Sequence, residues 1–218
     1  MTRLVLVNTI YFNAPWAEQF EKSLTHDDLF YLADSSSVTL PMMRTTEYFR
    51  YAEGDGYKAV ELPYKYSAGY MLILLPDSGK FGDIEKTITV ARLNEISAKL
   101  ASAYVTVEMP KFKYASDSVS LEDTLSGMGM PIAFSGQADF SGIDGSYDLS
   151  IGNIFHKAFI SVDEEGTEAA AATAVGLSSS GMPPVPIELK INRPFIYFIR
   201  DYSGTILFMG RHGQVRNG

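Results

Sequence analysis

The sequence lacks several features that would assign it to common functional classes. The chain of 218 residues contains no cysteine, so disulfides, thiolate metal sites and a cysteine nucleophile are excluded. No apolar run reaches the ~18 residues that a membrane-spanning helix needs. Positive charge is scarce, because 18 Lys and Arg stand against 26 Asp and Glu, for a net charge of −8. This deficit argues against nucleic acid or an anionic membrane as a main partner.

Catalytic and metal-binding motifs are also missing. The three histidines, His26, His156 and His212, are far apart, and none forms the closely spaced pair that is typical of metal sites. The sequence therefore predicts no metal site, and His156 in the apolar segment IFHKAF is expected to be a buried structural histidine. The segment GLSSSG at 176–181 lacks the second glycine of a G-x-S-x-G nucleophile elbow. The sequence contains no glycine-rich phosphate loop, so nothing in it indicates a bound nucleotide or another cofactor.

The hydrophobic pattern predicts a chain rich in β-strands. Apolar residues make up 46% and charged residues 20% of the sequence, as in ordinary globular proteins. The apolar run at 4–12 predicts a strand that is buried on both faces. Alternating patterns predict hairpins around 54–56 and 202–204, and a short strand at 38–43 that Pro41 interrupts.

Two segments have helical character. Apolar residues recur at near-helical spacing over 82–103, and a shorter helix is predicted after Ser118 or Ser120, ending near Gly127. We find no internal repeat and no linker that would separate two domains. The sequence therefore predicts an α+β class that is dominated by strands, with few helices.

The segment 163–186, DEEGTEAAAATAVGLSSSGMPPVP, is unusual between two β-rich segments. Its alanines allow a helix, and its glycines and serines allow a flexible linker. A third interpretation is a segment that can become a strand inside a crowded sheet. In that case alternate residues would share one face. That face carries only small or β-branched uncharged residues, namely Thr167, Ala169, Ala171 and Thr173.

The same segment resembles the reactive-centre loop of the serpins, a family of protease inhibitors. DEEGTEAAAATAV is similar to the family's loop hinge, and LKINRPFIYFI at 189–199 is similar to its C-terminal signature. LVLVNTIYFNAPWAEQF, VEMPKFKY and HKAFISVDEEGTEA resemble further family segments and occur in the family's order. The resemblance covers essentially the whole chain.

The resemblance implies a partial serpin domain. Serpin domains are much longer, so residues 1–218 are expected to be a C-terminal portion that lacks the N-terminal helical half, with the reactive-centre loop at 164–186. The implied fold is serpin-like, with mixed and antiparallel sheets and a few helices. The implied function is extracellular inhibition of a serine protease, by a metastable protein that acts as a suicide substrate and not as an enzyme. No cofactor, nucleic acid, membrane or metal is implied.

The resemblance also assigns roles to individual residues. Asn8, Trp16 and His156 lie where serpins control the opening of the main sheet, although ordinary core packing is an equal alternative for each. The reactive bond falls at Ser180–Gly181, with Leu177 and Met182 as alternatives for the attacked residue. The implied hinge comprises consecutive residues that begin the loop, namely Glu165, Gly166, Thr167, Glu168, Ala169, Ala170, Ala171, Ala172 and Thr173.

The chemistry of the loop narrows the expected target. No lysine or arginine lies between Lys157 and Lys190, which disfavours a trypsin-like protease and favours an elastase-, subtilisin- or chymotrypsin-like one. A non-inhibitory serpin used for binding, and an inactive fragment, remain alternatives. The small residues of the hinge favour the inhibitor, because non-inhibitory serpins tend to carry bulky or charged residues there.

We predict that an elastase- or subtilisin-like protease makes its primary cut between Gly176 and Pro183. This stretch is rich in glycine and serine, and the Pro183-Pro184 pair that follows resists proteolysis and stiffens the chain. Mass spectrometry of the protein, expressed from its complete reading frame and digested briefly, would locate the cut. A primary cut outside this window would contradict the predicted register of the reactive bond.

Overall fold

The computed structural model describes residues 2–167 and 184–213. Within these ranges the α-helices are α1 Phe81–Thr87, α2 Val90–Lys99, α3 Glu122–Gly127 and α4 Ser141–Asp144. None of these helices is long and apolar enough to cross a membrane. The strands, in chain order, are β1 Thr2–Tyr11, β2 Ala14–Pro15, β3 His26–Tyr31, β4 Ser37–Gly54, β5 Tyr57–Pro63, β6 Tyr70–Pro76, β7 Ala101–Pro110, β8 Phe112–Ala115, β9 Val119–Ser120, β10 Leu149–Val162, β11 Gly166–Thr167, β12 Ile187–Lys190, β13 Phe195–Arg200 and β14 Ile206–His212.

The chain forms two compact units. The first comprises Met1–Phe12 and Lys113–Ser161. In its sheet, β1 runs parallel to β10, and β10 also pairs with β8 and β9. The second comprises Asn13–Phe112 and Val162–Gly218. Its main sheet has the order β12-β7-β4-β5-β6-β13-β14, with β3 paired to β4, and a separate two-stranded ladder joins β2 and β11.

The long strand β4 is the centre of the second unit. Its first part pairs with β3, its middle with β7 and its end with β5. The predicted interruption at Pro41 is wrong, because β4 continues through it. The Pro41 carbonyl accepts from Lys111 N at 2.9 Å. Proline lacks a backbone N–H, and this pairing uses only its carbonyl, so the missing donor does not interrupt the strand. The two predicted hairpins are confirmed as β4–β5 and β13–β14.

The helical segment of the second unit is shorter than the pattern predicts. The expected helix over 82–103 is divided, because α1 ends at Thr87 and α2 begins at Val90. Thr89 Oγ1 accepts from Arg92 N at 3.2 Å, which caps a new helix, and three successive β-branched residues from Ile88 disfavour continuation of the old one. The segment from Ala101 onward belongs to β7.

Exposure of β1 contradicts the expected burial on both faces. Val5 is 56% exposed and Val7 is 73% exposed. The described part of the chain provides a partner strand on one edge of β1 only, and leaves both faces of the strand largely open. An apolar run predicts that a strand is suited to burial, but what covers the strand must come from elsewhere.

The short helix of the first unit begins later than predicted. Ser120 lies in β9 and its hydroxyl donates to Asn153 Oδ1 at 2.7 Å. Leu121 occupies the N-cap of α3 without a side-chain cap, so neither Ser118 nor Ser120 has the predicted role. The predicted end at Gly127 is confirmed.

We predict that Leu93→Ala in α2 lowers the free energy of unfolding by about 2–5 kcal/mol, because it leaves a cavity in a buried cluster. The matched control is Val90→Ala on the same helix, where the side chain is 67% exposed, and we expect a change within about 0.5 kcal/mol. Urea unfolding measures both. Equal effects of the two variants would mean that α2 does not pack on the sheet through Leu93.

Candidate functional site: the seam and the hinge segment

The pairing of β1 with β10 is the first part of the candidate site, and we call it the seam. The two strands are in parallel register along the ten residues of β1. Asn8 lies opposite His156, and His156 Nδ1 is 3.2 Å from Asn8 Oδ1. The amide oxygen can only accept, so this contact assigns the proton to Nδ1 of the imidazole. The structure thus brings two of the three predicted sheet-opening residues into contact.

The side chains that contact each other across the seam lie near the surface of the protein. The rings of Tyr11 and Phe159 stack across it with centroids 5.8 Å apart and an interplanar angle of 24°. Asn8 is exposed and His156 is half-buried, so the expectation of a buried structural histidine is wrong. The strand position explains this, because the imidazole lies on a largely open sheet. The backbone ladder and these surface contacts are therefore what must be broken to separate β1 from β10.

Residues 163–167, directly after β10, form the second part of the site, and we call them the hinge segment. Gly166 and Thr167 form β11 and pair antiparallel with Pro15 and Ala14. Gly166 has φ +154°, and a Cβ there would lie 2.4 Å from the Ala14 carbonyl oxygen. Only glycine fits this approach between the two backbones.

A buried ion pair fixes the hinge segment. Lys111 Nζ is 2.7 Å from Glu164 Oε2, and Thr25 Oγ1 donates to Glu164 Oε1 at 2.8 Å. The Glu164 side chain is 6% exposed, and its backbone carbonyl accepts from Phe20 N at 2.9 Å. Burial opposes ionisation of this carboxyl, but the hydrogen bonds from Lys111 and Thr25 outweigh it. The pKa of Glu164 therefore lies below its usual range.

Trp16 contacts the start of the hinge segment by a hydrogen bond and packs on a second aromatic ring. Its Nε1 donates to the Asp163 carbonyl oxygen at 2.9 Å, and its ring stacks on Tyr64 with centroids 4.6 Å apart. The Tyr64 hydroxyl lies 2.8 Å from Thr167 Oγ1. Burial raises the pKa of Tyr64 although the Thr167 contact opposes the rise, so the phenol stays neutral. The third predicted sheet-opening residue thus packs on the start of the loop.

Contacts nearer the solvent complete the attachment. The Lys22 ammonium pairs with the Glu165 carboxylate, which raises the pKa of Lys22. Gln19 Nε2 donates to the Glu165 carbonyl oxygen at 3.2 Å. Asp163 Oδ1 accepts from the backbone N–H groups of Glu165, at 2.9 Å, and Gly166, at 3.3 Å. Side-chain and backbone contacts therefore hold the hinge segment along its whole length, from Asp163 to Thr167.

Much of the predicted loop lies outside the described residues. Only Glu165, Gly166 and Thr167 of the predicted hinge are described. The predicted reactive bond Ser180–Gly181 also lies outside them. The other predicted loop residues outside them are Glu168, Ala169, Ala170, Ala171, Ala172, Thr173, Leu177 and Met182. Their roles stay predictions.

Several residues that hold the hinge segment were not predicted as site residues. They are separated from it in sequence by about 50 residues or more, and no local pattern points to them. Lys111 lies in VEMPKFKY, a segment that carries the family resemblance without assigning this lysine a role. The other residues missed are Gln19, Lys22, Thr25 and Tyr64.

Comparison with known proteins gives consistent matches. The family model described as "Serpin (serine protease inhibitor)" matches residues 1–215. An uncharacterized serpin-like protein of Thermococcus kodakarensis is 42% identical over 221 residues, which are 100% of this chain and 51% of that protein. Human antithrombin-III is 40% identical over 217 residues, which are 97% of this chain and 47% of that protein. The chain thus spans about half the length of these curated relatives.

A solved structure agrees with the sequence matches. Human thyroxine-binding globulin in complex with thyroxine has a TM-score of 0.83 and 31% identity, with 95% of this chain and 55% of that chain covered. The strand-rich architecture with mixed sheets and few helices is therefore the serpin-like fold, as predicted.

We predict that Glu164→Gln lowers the free energy of unfolding at pH 7 by about 1–3 kcal/mol, which is less than the roughly 3–5 kcal/mol for breaking a fully buried pair, because Lys111 is 37% exposed. The pKa of Glu164 is depressed in the folded state, so its contribution is present above the unfolded pKa of about 4.3 and is lost as the pH falls through the lower folded pKa. The difference between wild type and variant should therefore shrink between pH 5 and pH 3.

Urea unfolding at each pH measures this difference. The matched control is Glu165→Gln, which removes the same charge from the next residue, where the Lys22 partner is mostly exposed and solvent screens the pair, so we expect a clearly smaller loss. A difference for Glu164→Gln that stays constant down to pH 3 would show that its charge does not stabilise the hinge segment.

Proposed function

The chain belongs to the serpin family, and we propose that it acts as a serine-type endopeptidase inhibitor through cleavage of its loop and insertion of the loop as a strand. The family is described as serine protease inhibitors, and one relative is named antithrombin. The chain spans about half the length of these relatives, so inhibition by the whole protein is a proposal. The observation that carries the proposal is the seam, a pair of parallel strands whose second member leads directly into the loop.

The proposed reaction starts as ordinary proteolysis. The protease serine attacks a loop carbonyl carbon, the peptide C–N bond breaks, and the chain that begins at the next residue leaves as the amine. The remaining acyl-enzyme ester would normally be hydrolysed by water. Inhibition requires that the loop inserts into the sheet first and carries the attached protease away, which distorts its active site before hydrolysis.

Strand pairing supplies the driving force for insertion. A segment that turns back after Thr167 would run antiparallel to both β1 and β10. One parallel ladder would then be replaced by two antiparallel ladders, and antiparallel pairing is slightly more stable per residue. The backbone groups of the inserted loop would also form hydrogen bonds with both neighbouring strands. Gly166 is the proposed pivot of this turn.

The loop has the composition expected of a strand that inserts between two strands that are already paired. Thr167 is already fully buried and paired with Ala14, so the proposed strand has its first residue in place. The next residues on the same face are Ala169, Ala171 and Thr173, which need little room. The only charge, on Glu168, would lie on the other face.

Asn8, His156 and Trp16 are proposed to control this step. The contact between Asn8 and His156 crosses the seam, so a strand that enters there must break it. Trp16 holds the start of the loop through its bond to Asp163. The Asn8–His156 contact would contribute to the energy barrier for separating β1 from β10, and Trp16 would keep Gly166 in position.

A protease of the elastase, subtilisin or chymotrypsin type is the proposed partner, because the loop offers small and apolar residues at its predicted reactive bond. A non-inhibitory binding function is the second candidate, since the chain is similar to thyroxine-binding globulin. The small uncharged residues at 169–173 favour the inhibitor. The extracellular location stays a prediction from the family resemblance.

We predict that Ala171→Arg or Thr173→Arg converts the inhibitor into a substrate. Insertion places both side chains on the face that packs against the protein interior, and a buried unpaired guanidinium costs at least several kcal/mol. If insertion is slower, water hydrolyses the acyl-enzyme before the loop inserts, and active protease is released. The matched controls are Ala170→Arg and Ala172→Arg, which point the other way and should change inhibition much less.

The stoichiometry of inhibition, measured with an elastase- or subtilisin-like protease, compares the four variants. We expect it to rise strongly at the odd positions only. Equal effects at odd and even positions would exclude insertion as an alternating strand. Binding of the intact protein to such proteases without any cleavage or covalent complex would favour the non-inhibitory alternative.

A further inference from the structure

A second cluster of ionisable groups lies on the main sheet of the second unit, where β3 and β7 flank β4. One side-chain ligand atom each from His26, Asp28 and Glu108 lies within 4.8 Å of the other two. His26 Nε2 and Asp28 Oδ2 are 3.9 Å apart. We propose that this cluster is a binding site for a divalent transition-metal cation, with Zn²⁺ as the preferred ion.

Hydrogen bonds orient the two ligands from β3. His26 Nδ1 is 3.1 Å from the Leu24 carbonyl oxygen, which can only accept, so Nδ1 carries the proton and Nε2 has a free lone pair. Asp28 Oδ1 accepts from Leu29 N at 2.7 Å, which leaves Oδ2 facing the cluster. Metal-ligating histidines and carboxylates are commonly oriented by such bonds at the atom that does not bind the metal.

Glu108 provides a buried ligand whose second oxygen depends on Lys190. Its side chain is 7% exposed, and Oε2 accepts from Arg44 Nη1 at 3.2 Å. Oε1 is fully buried and pairs with the Lys190 ammonium 2.9 Å away, although the direction of this contact is not that of a well-aligned hydrogen bond. If the ammonium turned away, Oε1 would be a buried acceptor without a partner, which is costly, and a metal ion would satisfy it.

Lys190 is the group that a metal would have to displace. Its ammonium pairs with both Asp28 and Glu108, but its side chain is 44% exposed and can turn toward water. With Lys190 turned away, the negative charges of Asp28, Glu108 and Glu188 exceed the single positive charge of Arg44 by two. That surplus matches a divalent cation.

The donor set selects the type of metal. One imidazole and two carboxylates suit Zn²⁺ and its neighbours, whereas Ca²⁺ and Mg²⁺ prefer oxygen ligands alone. Zn–N and Zn–O bonds of about 2.1 Å place tetrahedral ligands about 3.4 Å apart. Small side-chain shifts of His26 and Asp28, which are exposed and half-buried, would close the cluster to this size.

The spacing of the three ligands along the chain gives no indication of this site. His26 and Asp28 are near neighbours on one strand, but the third ligand comes from β7, and β4 separates the two strands in the sheet. The expectation of no metal site rested on the absence of paired histidines, whereas the proposed site needs only one histidine.

The test is calorimetric titration of ZnCl₂ into the untagged protein, expressed from its complete reading frame and dialysed after EDTA treatment. We expect saturable one-to-one binding and no binding heat with CaCl₂. His26→Ala and Asp28→Asn should each weaken Zn²⁺ binding at least about tenfold, the effect expected from loss of a ligand. Lys190→Met should tighten it severalfold, because the competing ammonium is gone.

The matched control is Asp27→Asn, which removes the same charge from the neighbouring residue on the opposite face of β3 and should change the affinity less than about threefold. Circular dichroism checks that each variant is folded, and the expected gain for Lys190→Met cannot result from unfolding. Absence of one-to-one binding, equal losses for Asp27→Asn and Asp28→Asn, or weaker binding by Lys190→Met would each overturn the proposal.

Discussion

The ion pair between Glu164 and Lys111 is the interaction on which the attachment of the loop depends. A carboxylate this deeply buried is stable only because an ammonium and the hydroxyl of Thr25 replace the water that it has lost. The pair fixes the chain immediately before Gly166, where the backbone passes too close to Ala14 for any side chain. The ion pair and this close approach together fix the chain at the start of the predicted loop.

The seam has the opposite character. It joins β1 to β10 by a parallel ladder whose register shifts between Leu4 and Val5, and the Asn8–His156 contact and the Tyr11–Phe159 stack lie near the surface. Strand insertion, as proposed, requires a fixed residue at which the loop folds back and two older strands that can separate.

Three buried carboxylates of the second unit each have a cationic partner that still reaches water. Glu164 pairs with Lys111, Glu108 with Arg44 and Lys190, and Glu61 with Arg50, and the side chain of each cation is partly exposed. The cation replaces part of the hydration that the buried carboxylate has lost, so removal of the cation would leave an uncompensated buried charge.

The sequence by itself determined the class of the fold and the hairpins, and the position of the loop and of its hinge stays a prediction from the sequence. These properties depend on local alternation and on turn residues, which act between near neighbours in the chain. Only the tertiary structure decided that the helix divides at Thr89, that β1 is exposed, and that Glu164 meets Lys111. It also decided that His26 lies close to Glu108. Each of these outcomes depends on which strands become neighbours, and a charge or an apolar run carries no record of the distant residue that will lie against it.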